Sequence, residues 1–170
     1  QSNTSIVNHG TLLLLDDLVV QTGGPALVNF GGDLTTSADI TAAGSKGTDG
    51  KVTVKSDCIV TYSGSVSILS GTLDATSHEG SVLCIFNRGY NNSSAGAEVT
   101  VSSGTLNSWH YTASTNNTVS NQCNLTITGG VLNSYLSSIY WPSAGSLTIG
   151  TDDGAGPEIT ATNGSAIEIC

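Results

Sequence analysis

The feature that most constrains the fold of this chain is a short apolar pattern that recurs at matched offsets. Leu-Thr-Ile begins at Leu125 and again at Leu147, and related apolar-x-apolar triplets begin at Val66 and Val99, so successive copies are 33, 26 and 22 residues apart. In the first three copies a glycine follows the second apolar residue by three positions and a leucine follows it by five. Such a repeat is typical of a solenoid, in which each unit stacks on the next.

A third apolar segment completes the unit. It occurs as Ser81-Val-Leu83-Cys-Ile85, as Ser138-Ile-Tyr140 and as Ser165-Ala-Ile167-Glu-Ile169, and residues 25–30 resemble it. One unit of about 22–30 residues therefore contains three short strands. Glycine, asparagine and serine lie between the strands, and these residues tolerate the backbone conformations that corners require. No amphipathic helical stripe of useful length is present.

This pattern predicts an all-β fold, a parallel β-helix that forms one domain over residues 1–170. We expect regular rungs over 60–170, less regular rungs over 1–60, and corner insertions at 44–50, 87–96 and 112–122. The alternative is an antiparallel β-sandwich or jelly roll, which also uses many short strands. A sandwich would not need the Gly-x-Leu register at the same offset in each copy.

Charged residues are scarce. They make up 10% of the chain, with 4 Lys and Arg, 13 Asp and Glu, and a net charge of −9, against about 25% charged residues in average domains. Four basic residues cannot form the positive face that nucleic-acid binding requires. No apolar run approaches the ~18 residues of a membrane-spanning helix. A surface hydrated by Ser, Thr and Asn favours an extracellular or cell-surface protein.

The cysteines and asparagines carry candidate modifications. An even number of cysteines predicts two disulfides in an oxidising compartment, with free buried thiols as the alternative. Asn-x-Ser/Thr triplets indicate N-glycosylation, or arise by chance in a chain so rich in these residues. The disulfide candidates are Cys58, Cys84, Cys123 and Cys170. The glycosylation candidates are Asn3, Asn91, Asn92, Asn116, Asn124 and Asn163.

The segments SILSGTLDATS, TVSSGTLNS, LTITGGVLNS and ITATNGSAIEI resemble the degenerate repeats of pectin-lyase-like β-helices. They are more closely similar to repeats in large bacterial surface and adhesin-like proteins and in some phage-borne proteins. The resemblance covers residues 60–170 well and the first 60 residues poorly. It implies a right-handed β-solenoid in an extracellular setting, and it implies no specific activity.

Two aromatic residues share an offset in successive repeats. Trp109 lies three residues after Leu106, and Tyr135 lies three residues after Leu132. In stacked rungs such residues are neighbours about 4.8 Å apart. They form a strip that binds sugar rings, a contact between subunits, or a ladder that stabilises the solenoid.

Four other residues extend this candidate surface. Asn107 and Asn133 each directly follow the leucine of their repeat and should form an outward amide ladder. Tyr140 and Trp141 lie at the third strand, where alternation allows only one of them to face the core.

Catalytic patterns are weak in this sequence. The only arginine, Arg88, lies in a glycine-containing corner, and the three histidines lack the spacing of a triad or metal site. We therefore expect no enzyme activity, and polysaccharide cleavage is the least favoured function. Asp152, Asp153 and Glu158 lie in one glycine-containing loop, which predicts a calcium site because calcium binds several oxygen ligands.

The sequence as a whole favours a non-enzymatic extracellular structural or adhesive solenoid. The edges of a stacked solenoid are open to pairing, so we expect self-association, including assembly into a filament or surface layer. The alternative function is a carbohydrate-binding module that uses the Trp109 and Tyr135 strip.

Overall fold

The computed structural model describes residues 6–21, 23–46, 48–85, 96–115, 123–142 and 145–169, and every regular element in this part of the chain is a β-strand. No helix in it is long and apolar enough to cross a membrane. The strands are β1 (Ile6–Asn8), β2 (Thr11–Leu14), β3 (Leu18–Val20), β4 (Leu27–Thr36), β5 (Ile40–Ala42), β6 (Ser45–Lys46), β7 (Val52–Val54), β8 (Ile59–Ile68), β9 (Thr72–Ala75), β10 (Leu83–Ile85), β11 (Ala97–Val101), β12 (Thr105–Ser108), β13 (Ala113–Thr115), β14 (Asn124–Ile127), β15 (Val131–Ser134), β16 (Ile139–Trp141), β17 (Ser146–Ile149), β18 (Glu158–Ala161) and β19 (Ile167–Ile169).

These strands stack in three columns, which the chain visits in turn. Column A contains β2, the second halves of β4 and β8, β11, β14 and β17. Column B contains β3, β5, β9, β12, β15 and β18. Column C contains β1, the first halves of β4 and β8, β10, β13, β16 and β19. One visit to A, B and C is called a rung, and rungs 1 to 6 begin at the successive strands of column A.

The register of the columns follows the sequence repeat. Leu125 pairs with Leu147 and Ile127 with Ile149, so the two Leu-Thr-Ile copies are the same strand of rungs 5 and 6. In column B, Leu132 pairs with Leu106 and with Ile159. The predicted alignment of these repeats is confirmed.

Every strand pairing between rungs is parallel in the described residues. The one antiparallel pair there is a hairpin of β6, which lies in the predicted insertion 44–50, and β7, which follows that insertion. The antiparallel sandwich is therefore wrong for this chain. Parallel strands in three successive columns are compatible with a β-solenoid.

The predicted corner insertion at 112–122 also contains a strand. The segment 112–122 was expected to be irregular, but β13 lies within it and pairs with β10 and β16 in column C. Its inward residues are Ala113 and Thr115, which are 0% and 1% exposed. A small residue and a polar one give a weak hydrophobic signal, and for this reason the pattern missed the strand.

The core is the space enclosed by the three columns. Inward residues alternate with outward residues along each strand, as a pleated strand requires. Leu34, Ile68, Leu106, Leu125 and Leu132 are among the fully buried side chains, and they belong to one continuous cluster. Each rung gains its interior contacts from the rungs above and below.

Glycines form a column at the corner between columns A and B. Gly71, Gly104 and Gly130 have φ angles of 91°, 101° and 94°, in the region that favours glycine. A Cβ at Gly104 would lie 2.7 Å from the carbonyl oxygen of Gly71, and one at Gly130 would lie 2.8 Å from that of Gly104. These corners need glycine for both backbone conformation and the close approach of adjacent rungs.

Candidate functional site

Trp109 and Tyr135 stack on each other across rungs 4 and 5. Their ring centroids are 4.1 Å apart and the ring planes differ by 24°. The pairing of β12 with β15 in register places them together, because each residue directly follows its strand. The sequence prediction that they are vertical neighbours is confirmed, whereas their role remains a prediction.

A polar ladder runs along the outer face of column B. Asn133 Nδ2 donates to Asn107 Oδ1 at 3.1 Å, and Thr160 Oγ1 donates to Asn133 Oδ1 at 2.7 Å. Asp74 is the register neighbour of Asn107 in rung 3. These residues and Tyr135 line an open groove of about 400 Å³.

The ring faces of the aromatic pair are directed along the column rather than away from it. Trp109 and Tyr135 stack face to face, and Thr76 and Thr162 occupy the same offset in the rungs on either side. Tyr135 is 41% exposed. A sugar that stacks on aromatic rings needs a free ring face, so this geometry favours ladder packing over a sugar-binding strip.

Trp141 does not belong to the surface. It is 3% exposed, contacts the core cluster, and donates from Nε1 to the carbonyl oxygen of Gly145 at 3.4 Å. Its assignment to a glycan or subunit contact is wrong, because alternation in β16 turns Ile139 and Trp141 inward. Tyr140 points outward and stacks with Tyr111, with ring centroids 5.3 Å apart.

The loop at residues 151–156 closes on itself. The Thr151 hydroxyl and the Ala155 N–H both donate to Asp153 Oδ1, and these bonds hold the pKa of Asp153 below its ordinary value. No three His, Cys, Asp or Glu side chains lie close enough to hold a metal ion in the described residues. Asp152, Asp153 and Glu158 therefore do not assemble the predicted calcium site.

Three of the four cysteines are free and buried. Cys58, Cys84 and Cys123 each occupy a separate position, and burial raises the pKa of each thiol. The prediction of disulfides is wrong for these three residues, which fit the alternative of buried thiols. Cys170 lies outside the described residues.

Two glycosylation candidates can be placed. Asn163 is exposed in the turn after column B. Asn124 belongs to another polar ladder, since its Nδ2 donates to Glu98 Oε1 at 2.6 Å and its Oδ1 accepts from Ser146 Oγ at 2.6 Å. A glycan on Asn124 would leave Nδ2 a single N–H for the bond to Glu98. Asn3, Asn91, Asn92 and Asn116 lie outside the described residues.

A second aromatic stack was missed by the sequence prediction. His9, Phe30 and Tyr62 form a column with ring centroids 5.5 Å and 4.6 Å apart. Each lies three residues after the start of a column C strand. The argument that paired Trp109 with Tyr135, namely a shared position in successive repeats, would therefore have found them. Stacked aromatic residues thus recur on more than one side of the described rungs.

A cavity of about 350 Å³ beside column C was also missed. It spans rungs 2 to 5 at the corner that leads into this column. Its lining includes Asp57, Ser81, Cys84, Ser114, Thr115 and Tyr140. Asp57 and Ser81 share an offset two residues before their strands, and Ser81 N–H donates to Asp57 Oδ1 at 2.8 Å.

Asp57 is the central ionisable group of this cavity. Burial raises the pKa of its carboxyl group, and hydrogen bonds from the Ser81 N–H and the Cys84 thiol oppose that effect. Burial raises the pKa of Cys84 too, with a further contribution from the charge of Asp57. Burial and the charge of Lys55 lower the pKa of His110, so its ring is neutral for the most part at pH 7.

Cys, His and Asp side chains can form a nucleophilic triad, and all three line this cavity. The Cys84 thiol instead interacts with Ser81, Asp57 and Ser114. Its raised pKa keeps it protonated, and a protonated thiol is a poor nucleophile. The Cys84 thiol therefore lacks the lowered pKa of a catalytic cysteine nucleophile.

Comparisons of this chain with protein-family models, with curated proteins and with solved structures found no match.

Proposed function

We propose that this chain is a non-enzymatic structural or adhesive module at the cell surface or outside the cell, and that it assembles head to tail. In this proposal the columns wind as a right-handed β-helix. Right-handed winding is supported by the general rule that connections between parallel strands of one sheet are right-handed in roughly 98% of cases. An experimental structure that shows left-handed winding would contradict this part of the proposal.

The observation that carries the proposal is that inward-facing apolar side chains are exposed at the two ends of the described stack. In rung 6, Ile149 is 38% and Ile167 39% exposed, although both continue inward columns. In rung 1, Leu12 and Leu18 are only half-buried. Edges of this kind pair readily with another strand, although Glu158 in β18 and Glu168 in β19 place charged side chains on the rung 6 edge.

The two ends match each other in side-chain type and register. In column A, Leu147 and Ile149 at one end correspond to Leu12 and Leu14 at the other, because both pairs occupy the same register positions of the column. In column B, Ile159 corresponds to Leu18. A second copy placed on rung 6 would extend the columns with similar inward residues. Contacts of this head-to-tail kind do not close and lead to filaments.

Substitution of one end residue tests the proposal. Ile149→Lys places a charge at the rung 6 edge, where it should block one end while leaving the other able to bind. Mixed with the unmodified chain at a small molar fraction, the variant should cap growing assemblies and shorten them in electron micrographs. Circular dichroism melting would show that the variant is folded.

Leu69→Lys is the matched control, because Leu69 is 47% exposed but lies in the middle of the stack. It should leave assembly length unchanged. Equal shortening by both variants, or no assembly by the unmodified chain, would contradict head-to-tail growth.

The second candidate function is carbohydrate binding along column B. The observation that favours it is the amide and hydroxyl ladder of Asn107, Asn133 and Thr160 beside an open groove. Retardation in polysaccharide affinity gels tests this function. Asn133→Ala should reduce retardation strongly and Trp109→Ala only weakly, because the tryptophan ring faces stack within the column. Absence of retardation for the unmodified chain would eliminate the candidate.

A further inference from the structure

The two ends of the described stack carry carboxylates at the same position of column B. Glu158 directly precedes Ile159 in rung 6, and Asp17 directly precedes Leu18 in rung 1. Both acidic side chains are exposed. The inner rungs 3 to 5 carry no charge at this position, where their residues are Thr72, Thr105 and Val131.

Hydrogen bonds show how carboxylates at this position stack between rungs. Asp39 is the equivalent residue of rung 2, and its N–H donates to Asp17 Oδ1 at 3.2 Å. The Thr72 N–H donates in the same way to Asp39 Oδ1 at 2.6 Å. A carboxyl group at this position therefore lies against the backbone of the following rung.

Head-to-tail stacking would place Glu158 of one copy against Asp17 of the next copy. The register that aligns Ile159 with Leu18 also aligns the residues before them, and adjacent strands of a sheet lie about 4.8 Å apart. Like charges directly opposite each other on neighbouring strands are destabilising. The separation is shorter than the screening length of about 8 Å at physiological ionic strength, so salt removes the repulsion only in part.

Nothing at this corner compensates the two carboxylates. All four Lys and Arg residues lie between positions 46 and 88, so the segments that form rungs 1 and 6 contain none. Val131, the neighbour of Glu158 in rung 5, is uncharged. The other titratable side chains around this corner in the described residues are all acidic, namely Asp16 and Asp39 at one end and Asp152 and Asp153 at the other.

We propose that Glu158 and Asp17 make head-to-tail assembly sensitive to pH, because their carboxylates oppose assembly at neutral pH and acidification removes the repulsion. Bringing two carboxylates together favours the uptake of a proton, so the assembled state binds more protons than the separate chains. Association therefore strengthens as the pH falls. This regulation rests on the proposed head-to-tail assembly and acts at the same interface.

Neutralisation of Glu158 tests the charge pair at constant pH. Glu158→Gln keeps an acceptor oxygen and removes only the charge. At pH 7.5 it should lower the critical concentration for assembly, measured by sedimentation, roughly threefold or more.

Glu98→Gln is the matched control, because Glu98 is exposed in rung 4 and glutamine keeps the acceptor for Asn124 Nδ2. It changes the net charge equally and should lower the critical concentration much less. Equal critical concentrations for the two variants would overturn the charge pair.

A double-mutant cycle tests whether the two carboxylates face each other. Asp17→Asn keeps the acceptor for the Asp39 N–H and should promote assembly about as much as Glu158→Gln. Since either substitution removes the same repulsion, the double variant should gain little beyond each single variant. Gains that multiply independently would show that the two residues do not meet at the interface.

Acidification provides an independent readout. Between pH 7.5 and pH 5.0 the critical concentration should fall further for the unmodified chain and for Glu98→Gln than for Glu158→Gln, by a factor of roughly two. The same pH dependence in all three proteins would overturn the proposed regulation and leave assembly standing. Absence of filaments at every pH and in every variant would contradict head-to-tail assembly and this regulation together.

Discussion

At the scale of single residues, burial alone does not decide what a polar side chain contributes. Ser108 and Ser134 are register neighbours in column B, and both are buried. The Ser134 hydroxyl donates to the carbonyl oxygen of His110 at 2.7 Å, whereas the Ser108 hydroxyl has no partner among the described residues. The same substitution should therefore have opposite consequences at the two positions.

We expect Ser134→Ala to lower the free energy of unfolding by about 1 kcal/mol, because it removes a buried hydrogen bond. Ser108→Ala should leave the free energy unchanged or raise it, since it removes an unsatisfied group. Urea unfolding of the two variants provides the comparison. Equal losses at both positions would show that the difference in hydrogen bonding has no energetic consequence.

At this scale, the sequence predicted contacts between residues at the same position of successive repeats. It did not predict contacts between residues at different positions. Trp109 and Tyr135 could be paired because each follows a clear Leu-Asn-Ser strand. The cavity around Asp57 could not be found, because its residues come from several offsets on both sides of a corner. Alignment of Tyr111 and Ser114 with it also requires β13, whose inward Ala113 and Thr115 give little hydrophobic signal.

At the scale of elements, the corners fix the spacing between rungs. The sequence predicted glycine at the corners after column A, and the positive φ angles of Gly71, Gly104 and Gly130 agree with that prediction. The Gly-x-Leu motif does not by itself identify the corner after column A. Gly10-Thr-Leu12 and Gly32-Asp-Leu34 show the same spelling but lead into column A, because their glycines lie at a different corner.

Substitution of a corner glycine should be costly. Gly104→Ala should lower the free energy of unfolding by about 2–3 kcal/mol, because it combines an unfavourable φ angle with a Cβ 2.7 Å from a backbone oxygen. Gly10→Ala is the control, since no atom lies within 4 Å of its Cβ position. Urea unfolding should show a change below about 0.5 kcal/mol for the control. A comparably small change for Gly104→Ala would argue against this rung spacing.

The aromatic stack links the strands of rungs 4 and 5. A double-mutant cycle with Trp109→Leu and Tyr135→Leu should give a coupling energy of about 0.5–1.5 kcal/mol, the range of stacked aromatic pairs. Thermal or urea unfolding of the single and double variants supplies the four values. Additive effects would mean that the two rings do not interact in solution.

At the scale of the whole molecule, the same repeat determines both the core and the ends. Every inner rung buries its apolar residues against two neighbours, whereas rungs 1 and 6 bury theirs against one. The sequence predicted the stacked strands and their register, because those depend on a local pattern that recurs. It left open whether exposed aromatic residues bind sugars or pack as ladders, because that depends on which way the ring faces point.

Electron microscopy of the purified chain over a rising concentration series tests the proposed assembly most directly. We expect unbranched filaments whose images show a repeat of about 4.8 Å along the axis, since each rung adds one strand to every column. Particles that remain single and monomeric throughout the series would contradict head-to-tail assembly.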